Sequence, residues 1–453
     1  MCPGFDNTVR LAAKFRGLAD ARLVMFPPPN ISVQTPEEVR EHAKSLVDTV
    51  ILQLTRTAAS ADAEGAKADP RAIVFKGDLD SINEHFHEQR WTEGLPIVPP
   101  TRAAVEAMLK FTDRSPDEVI GVLRPGRREV TVWKTAVNGV MAGCRPEYMP
   151  ILLAIMEAET DPNSGIEGFN STSGQFPVII LNGPIIKELN INHGQGMVRG
   201  RRQANISISR FLSLCMITIA RLRLGETDMT TFDRNYYPAV AEAEDDSPWE
   251  PLSETLGFAP GSNVVTVQGA AMMGYSFLTE GDAESHLHII AQEVARDIGN
   301  SHYLIHPMLG PVTSHSIYLG PQVANIIAKA GYSKRDVKQY IFDHARVPAH
   351  QLEEFMKRHA LLPDIDPEDI TFCEMVRQGR LPPHFCESKD PNRMVPVVQH
   401  PDEFLLVVTG FPTRNRSRIL RQGGQHGRRV SREIKLPTKW RELLEQASTG
   451  ARG

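Results

Sequence analysis

The sequence predicts an α/β protein with a layered main domain and a short α/β fragment at its N-terminus. Two observations support this fold class. From Ile73 onward, amphipathic helical patterns alternate with short apolar strands, which is typical of layered α/β architectures. A proline-rich break and a polar stretch separate an earlier helix and strand from this part. At 453 residues the chain is long enough for more than one hydrophobic core.

The N-terminal fragment, residues 1–56, is expected to contain a helix over 8–17, a strand over 21–26 and a long second helix. Thr35, Pro36 and Glu38 predict where the long helix begins, as its N-cap, first-turn proline and capping-box glutamate. Its apolar residues recur at helical spacing: Val39, Ala43, Val47, Val50 and Leu54. One helix and one strand cannot close a core alone, so we expect this fragment either to pack on something else or to be a remnant.

Residues 57–70 lack large hydrophobic side chains and are predicted to be a linker. The main domain then follows as a first half, 71–250, and a second half, 251–453, that ends in a basic arm. Strands are predicted over 178–181, 264–267 and 404–408. Residues 241–251 are predicted to be an exposed acidic connection, and 410–432, with seven arginines, a mobile loop or arm.

A weak similarity between two parts of the sequence supports two interpretations. A proline-started helix over 145–158 leads to the strand and turn 178–184, and a similar helix over 320–331 precedes the strand and turn 404–412. These matches indicate either an internal duplication or the chance recurrence of common α/β features.

Composition restricts the class of protein. A net charge of −5 provides no overall attraction to nucleic acid or to an anionic membrane, and neither partner is predicted. No stretch resembles a membrane-spanning helix or a signal peptide. Five scattered cysteines without a C-x-x-C pair do not predict a disulfide framework, so the expected location is the cytoplasm.

Polar and glycine-rich segments between residues 168 and 210 form the predicted ligand pocket. Small amide and hydroxyl side chains beside glycines allow backbone N–H groups to approach a polar or anionic ligand, and a helix that starts after such a loop adds its positive dipole end. The predicted substrate-binding residues are Asn170, Ser171, Thr172, Asn182, Asn192, Arg202 and Asn205. The alternative is that these residues only form turns and helix caps. No G-x-G-x-x-G or P-loop motif is complete, and no cofactor is predicted.

Two residues are the candidate reactive groups. Cys144 lies between a glycine and an arginine before a predicted helix, a position that could lower the pKa of its thiol; the alternative is a buried small hydrophobic residue. His193 lies within the glycine-rich loops and could act as an acid or base. Histidines between 286 and 315 leave metal binding, acid–base use and an ordinary structural role open, and no H-E-x-x-H motif is present, so no metal ligand is predicted.

The N-terminal fragment resembles part of a known family. Phe5-Asp-Asn-Thr-Val9, Leu18-Ala-Asp-Ala-Arg-Leu-Val-Met25, Pro28-Pro29 and Thr35-Pro-Glu-Glu-Val39 are similar to the end of the small domain of the UGSC-motif (seleno)protein family. The larger part is similar to the long domain fused or adjacent to that module, at Trp91–Pro100, Met141–Tyr148 and Ser247–Glu250. The family's Sec/Cys-Gly-Ser-Cys loop is absent here, because Cys2-Pro3-Gly4-Phe5 does not match it, so no catalytic residue carries over.

Two functions are therefore expected. The first is an enzyme that acts on a small polar or anionic metabolite by thiol-linked redox or lyase chemistry, with Cys144 or His193 as the reactive group. The second is a non-catalytic subunit that binds a thiol or selenol redox module through the N-terminal fragment. Expected partners are a small-molecule ligand and either such a redox-module protein or further copies of the chain.

Overall fold

A computed structural model describes most of the chain. The described residues are 6, 9–10, 13, 18, 21–27, 34–56, 69–124, 127–169, 172, 174–199, 202–231, 237–296, 298, 304, 315–359, 370–421 and 428–450.

Helices and strands alternate along these residues. The helices are α1 Pro36–Thr55, α2 Leu79–Glu88, α3 Arg102–Leu109, α4 Val132–Met141, α5 Met149–Glu159, α6 Ile185–Glu188, α7 Gln203–Thr218, α8 Leu252–Thr255, α9 Ala283–Arg296, α10 Pro321–Lys329, α11 Lys334–His344, α12 Ala349–His359, α13 Phe372–Arg377 and α14 Trp440–Gly450. The strands are β1 Val119–Leu123, β2 Arg128–Thr131, β3 Phe176–Asn182, β4 Ala239–Ala241, β5 Val264–Ala270, β6 Met272–Leu278, β7 His315–Leu319, β8 Arg346–Pro348, β9 Met394–Pro396, β10 Leu405–Val408, β11 Arg416–Arg421 and β12 Val430–Glu433. Single 3₁₀ turns lie at Pro146–Tyr148, Ile166–Gly168, Glu244–Asp246, Pro383–Cys386 and Pro401–Glu403.

In the N-terminal fragment, the structure confirms the predicted long helix but not the predicted strand. Helix α1 begins with the predicted capping box, in which Thr35 Oγ1 accepts the backbone N–H of Glu38 and the Glu38 carboxylate accepts that of Thr35. The predicted strand over 21–26 is wrong: that segment is not in any sheet. A strand needs a hydrogen-bonded neighbour, which the pattern of one short segment does not supply. The predicted helix over 8–17 and linker over 57–70 lie largely outside the described residues.

Two four-stranded mixed sheets have the same topology. In the first, β3 is parallel to β4 and antiparallel to β5, and β5 is antiparallel to β12. In the second, β7 is parallel to β10 and antiparallel to β11, and β11 is antiparallel to β6. The two repeats exchange their outer strands, because β6 follows β5 in the chain but joins the second sheet, whereas β12 follows β11 and joins the first.

The two sheets therefore share one strand order, although the equivalent strands differ from those matched in the sequence. The sequence similarity matched β3 with β10. By strand order and direction, however, β7 corresponds to β3, and β10 corresponds to β4. Strand β5 also lies beyond the predicted boundary at residue 250 and still belongs to the first sheet.

The sheets and helices form four layers, α/β/β/α, as the alternation of side chains along each strand shows. On β3, Ile179 and Leu181 pack against the helices of the first half, while Val178 and Ile180 belong to a separate cluster shared by the two sheets. On the second sheet, Ile317 packs against the helices of the second half. Each sheet thus has helices on one face and the other sheet on its opposite face. This explains why β3, β5, β7 and β10 are buried along their whole length.

Two segments that the sequence predicted to be exposed lie partly in this core. Of residues 241–251, the first three are buried, including Glu242 and Ala243, whereas the acidic turn Glu244–Asp246 is half-buried to exposed, as predicted. The predicted basic arm over 410–432 contributes β11 and β12, so it is wrong as a mobile arm at those strands; residues 422–427 lie outside the described part. Charged side chains predict exposure, but Arg421 is buried within the second sheet.

Cys373 and Cys386 form a disulfide, with Cα atoms 4.9 Å apart. The sequence predicts no disulfide framework and does not indicate this single bond, because a spacing of 13 residues matches no motif and only the packing of α13 against the following 3₁₀ turn brings the two cysteines together. Within the described part of the chain, no helix has the length and apolar character needed to cross a membrane.

Candidate functional site

The candidate site lies where the C-terminal ends of β3, β4 and β10 meet. In α/β sheets, ligands bind at the carboxyl ends of parallel strands, because loops diverge there and leave a crevice. Ala243 donates its backbone N–H to Val408 O at 2.8 Å, and Thr409 donates its hydroxyl to Ala241 O at 2.9 Å. These bonds join the β4 edge of the first sheet to the β10 edge of the second. We call this region the sheet junction.

Glu242 is the central residue of the sheet junction. Its carboxylate accepts the side-chain amide of Asn182 at 2.6 Å, the backbone N–H of Leu252 at 2.7 Å and that of Val408 at 3.4 Å. The side chain is fully buried, and this burial raises the pKa of Glu242, while the lysine and the hydrogen-bond donors around it act in the opposite direction. A buried carboxyl with a perturbed pKa is a candidate acid or base.

Lys334 is the cation that faces Glu242. Its Nζ lies 3.6 Å from Glu242 Oε1, and the residue is only 3% exposed. Lys334 is the first residue of α11, after the N-cap Ser333, so the start of a helix of the second half fixes its position. Nζ has no hydrogen-bond partner among the described residues. Burying an ammonium group without hydrogen bonds is costly, which leaves Lys334 able to gain from a polar ligand.

Asn182 and Glu244 form the outer side of the junction. The Asn182 amide nitrogen donates to Glu244 Oε1 at 3.0 Å as well as to Glu242, and the same Glu244 oxygen accepts the Gly183 N–H at 2.7 Å. Asn182 Oδ1 is buried and has no hydrogen-bond partner within the described part of the chain. Gly183 has a φ of +99°, and a Cβ there would lie 2.5 Å from Ser262 O, so only glycine fits this turn.

A shallow depression of about 460 Å³ opens along the same sheet edge. It is lined by residues that precede β5 and follow β12: Pro260, Gly261, Ser262, Asn263, Glu433, Ile434, Lys435 and Leu436. Asn263 Oδ1 accepts the backbone N–H of Ile185 at 2.8 Å, which ties the depression to the turn after β3. The depression and the sheet junction therefore lie on either side of Gly183.

His193 reaches the sheet junction through its backbone. Its carbonyl oxygen accepts the Gly410 N–H at 2.9 Å and the Thr409 hydroxyl at 3.0 Å. The half-buried imidazole places Nδ1 3.4 Å from Ile191 O, so with Nδ1 as the donor, Nε2 is left as an acceptor. His193 and Asn182 are thus two predicted site residues that the fold brings to the same strand ends.

The side chains of Asn192 and Asn205 form hydrogen bonds with backbone groups of the loop that carries His193 and of β4. Asn205 Oδ1 accepts the Asn192 N–H at 2.8 Å, and its amide nitrogen donates to Asn192 O at 3.0 Å and to Ala239 O at 3.1 Å. Asn205 is buried and uses both ends of its side chain on backbone groups. The Asn192 side chain likewise bonds the backbone of Gly194 and Gln195. These bonds match the alternative interpretation, in which such residues hold turns.

The remaining predicted ligand residues are exposed or lie outside the described residues. Arg202 is exposed and bonds the side chain of Asn190, and Thr172 is exposed with its carbonyl accepting the Thr231 N–H at 3.2 Å. Asn170 and Ser171 lie outside the described residues.

Cys144 lies in the turn after α4 and is buried. Gln203 ties this turn to α7, because its side-chain amide donates to Gly143 O at 3.1 Å. Burial raises the pKa of Cys144 to about 12, although Ser207 and Arg210 of α7 act to lower it. The structure matches the interpretation of Cys144 as a buried small hydrophobic residue and contradicts a lowered pKa, because the burial of the thiol outweighs its basic neighbour.

Sequence reasoning missed Glu242, Lys334 and Thr409. Glu242 lies in an acidic stretch that reads as solvated, and its partner Lys334 is far along the chain, so no local pattern connects them. The usable signal was the short apolar strand Ala239–Ala241 directly before Glu242. Among the described residues, no group of three His, Cys, Asp or Glu side chains could hold a metal ion.

Comparisons with protein-family models, with curated proteins and with solved structures found no match to this chain.

Proposed function

We propose that this chain is an enzyme that acts on a small polar or anionic metabolite at the sheet junction. The observation that carries the proposal is the buried Glu242–Lys334 ion pair at the C-terminal strand ends. Among the described residues, neither Lys334 Nζ nor the neighbouring Asn182 Oδ1 has a hydrogen-bond partner. Natural proteins rarely leave buried polar groups unsatisfied, and those that persist cluster at functional sites.

Proton transfer of the lyase type is the reaction class that these residues favour over thiol-linked redox chemistry. A thiol with a pKa of about 12 is protonated at neutral pH and is a poor nucleophile, which argues against Cys144. The carboxylate of Glu242, the amine of Lys334 and the imidazole of His193 can exchange protons with a substrate. In this proposal Lys334 also binds the negative charge of the substrate.

The proposal requires that a substrate can reach the buried side chains of the sheet junction. Glu242 and Lys334 are buried, whereas Glu244 and His193 are half-buried on the outer side. Substrate would enter beside Gly183, from the depression, after displacement of the loop that carries His193. Loop movements of this kind commonly accompany substrate binding in enzymes.

A thermal-shift screen tests the proposal. The panel contains small carboxylates, amino acids, phosphorylated metabolites and neutral polyols, measured with the full chain and with two variants. Lys334→Met removes the buried charge, and Lys329→Met, on the exposed end of α10, is the matched control. We expect anionic compounds to raise the melting temperature of the wild type and of Lys329→Met only. An equal shift in Lys334→Met, or no shift by any compound, contradicts the proposal.

A second candidate function, the non-catalytic subunit, has one observation in its favour. Helix α1 has no buried residue, and Ala43, Val47, Val50 and Leu54 form a seam with the 4-3-4 spacing of helix pairing. Such a seam suits a partner helix. If Val47→Glu changes neither the oligomeric mass by light scattering nor capture of a thiol or selenol redox protein, this function loses its support.

Membership of the UGSC-motif family and a cytoplasmic location remain parts of this proposal. The half-exposed Cys373–Cys386 disulfide is a feature more typical of oxidising compartments. Fractionation of the native host cell, followed by detection of the chain, decides the location.

A further inference from the structure

The Cys373–Cys386 disulfide lies at the surface, on a segment that the sheet junction does not use. Cys373 belongs to α13, and Cys386 ends the following 3₁₀ turn. Both cysteines are half-buried, whereas Cys144 and Cys215 are buried and not disulfide-bonded. The loop after the turn, 387–390, is exposed along its whole length. A thiol in solution can therefore reach the bond without unfolding of the chain.

Packing holds the two cysteines together independently of the covalent bond. Phe372 and Phe385, which directly precede the cysteines, are fully buried. Their rings meet edge to face, with centroids 5.3 Å apart, and belong to the hydrophobic core of the second half. Because a well-packed core keeps its neighbours in contact, the elements that carry the cysteines stay adjacent when the bond is absent.

A polar bridge joins the same two positions of the chain. The carboxylate of Glu353, on α12, accepts the Phe372 N–H at 2.8 Å and a guanidinium N–H of Arg393 at 3.1 Å. Arg393 Nε in turn donates to Phe385 O at 3.0 Å. The side chains of Glu353 and Arg393 are only 14% and 11% exposed, so salt screens this ion pair weakly. Reduction of the disulfide would leave the bridge in place.

The reduced form has a hydrogen-bond acceptor ready for either thiol. The Sγ atoms of Cys373 and Cys386 lie 3.7 Å and 3.8 Å from Ser388 O. A disulfide sulfur has no hydrogen to donate, whereas a thiol S–H is a weak donor, so this contact becomes a hydrogen bond only after reduction. The surroundings therefore accommodate the dithiol as well as the disulfide.

We propose that Cys373 and Cys386 form a redox-active pair that exchanges electrons with a dithiol while the chain stays folded. A thiolate of the dithiol attacks one Sγ, forms a mixed disulfide with that cysteine and releases the other cysteine as a thiolate, which takes up a proton. The second thiolate of the dithiol then displaces the first cysteine, which is protonated in turn. Two electrons and two protons pass to the pair, and the reductant leaves as its own disulfide. This activity goes beyond the reaction proposed at the sheet junction and does not depend on it.

The test is reduction of the full chain by dithiothreitol without denaturant, at several ratios of the reduced to the oxidised reagent. Iodoacetamide then labels the free thiols, and peptide mass spectrometry measures the label at each cysteine. We expect Cys373 and Cys386 to become labelled together, whereas the buried Cys144 stays unlabelled. An excess of the oxidised reagent should restore the disulfide, and the near-ultraviolet circular dichroism of the chain should be the same before reduction and after reoxidation.

The rate of reduction separates direct exchange from reduction through the unfolded chain. Below the unfolding transition, urea should change the rate by less than about twofold if a dithiol attacks the folded chain, whereas reduction that requires unfolding should accelerate about tenfold or more per molar urea. A disulfide that resists dithiothreitol until the chain unfolds, labelling of Cys144 together with the pair, or a dithiol that does not close again overturns the proposal. The sheet junction can fail its own test without affecting this one, because the probes and the residues differ.

Discussion

Replacing Glu159 by glutamine should remove most of a pH-dependent loss of stability. Glu159 is the last residue of α5, it is 1% exposed, and neither carboxylate oxygen has a partner among the described residues. Burial alone raises the pKa of Glu159 from 4.5 to about 8. The folded chain therefore keeps the proton at neutral pH, whereas the unfolded chain releases it.

The size of the effect follows from linkage between protonation and folding. The unfolded carboxyl ionises above pH 4.5, so stability falls as the pH rises from 4.5 and levels off above about 8. At pH 7 the loss is roughly 2.5 pH units at about 1.4 kcal/mol each, or about 3 kcal/mol. Below pH 4.5 both states hold the proton and the contribution vanishes.

The assay is chemical denaturation, followed by tryptophan fluorescence, at pH 5, 7 and 8.5. Glu159→Gln should show a smaller decrease between pH 5 and 8.5 than the wild type by about 3 kcal/mol or more. Glu84→Gln, on the exposed face of α2, is the matched control and should follow the wild type. The comparison concerns the pH dependence, because a buried glutamine amide also lacks partners. Parallel pH profiles for the wild type and Glu159→Gln would show that Glu159 is not protonated in the folded chain.

Three further predictions concern bonds seen in the fold. The Cys373–Cys386 disulfide closes a loop of 13 residues, so the double variant Cys373→Ser/Cys386→Ser should have an unfolding free energy about 3 kcal/mol lower than the wild type. If a reductant does not change the denaturation midpoint of the wild type, the bond is contradicted. Asn205→Leu removes three hydrogen bonds to the backbone and should cost about 3 kcal/mol in the same assay; a variant as stable as the wild type would argue instead for a ligand role. Cys144 should react with a thiol probe only after denaturation, as measured by mass spectrometry, and rapid labelling of the folded chain would contradict its buried, protonated state.

Local sequence signals predicted the elements that depend on local physics. Thr35, Pro36 and Glu38 define the start of α1 because a helix cap is formed by neighbouring residues. Strands β3, β5 and β10 were found because each is a run of β-branched or apolar residues bounded by turns. The segment 21–27 is also mostly apolar and is not a strand, since pairing depends on a partner elsewhere in the chain.

The candidate site was predicted only in part, because its chemistry depends on contacts between distant residues. Asn182 and His193 were identified from the polar, glycine-rich loops, and both lie at the C-terminal strand ends. Glu242 and Lys334 were not, since a charged residue predicts exposure unless its partner is known. The partner comes from the second repeat, and only the meeting of β4 with β10 brings the pair together.

Hydrogen–deuterium exchange with a metabolite from the thermal-shift screen tests the central claim most directly. If the ligand binds at the sheet junction, exchange should slow in the peptides that contain Gly183, His193 and Leu252, whose backbone groups line the strand ends. Exchange at α3 and α12 should remain unchanged. Slower exchange confined to regions away from the junction, with unchanged exchange at these three residues, would contradict the account.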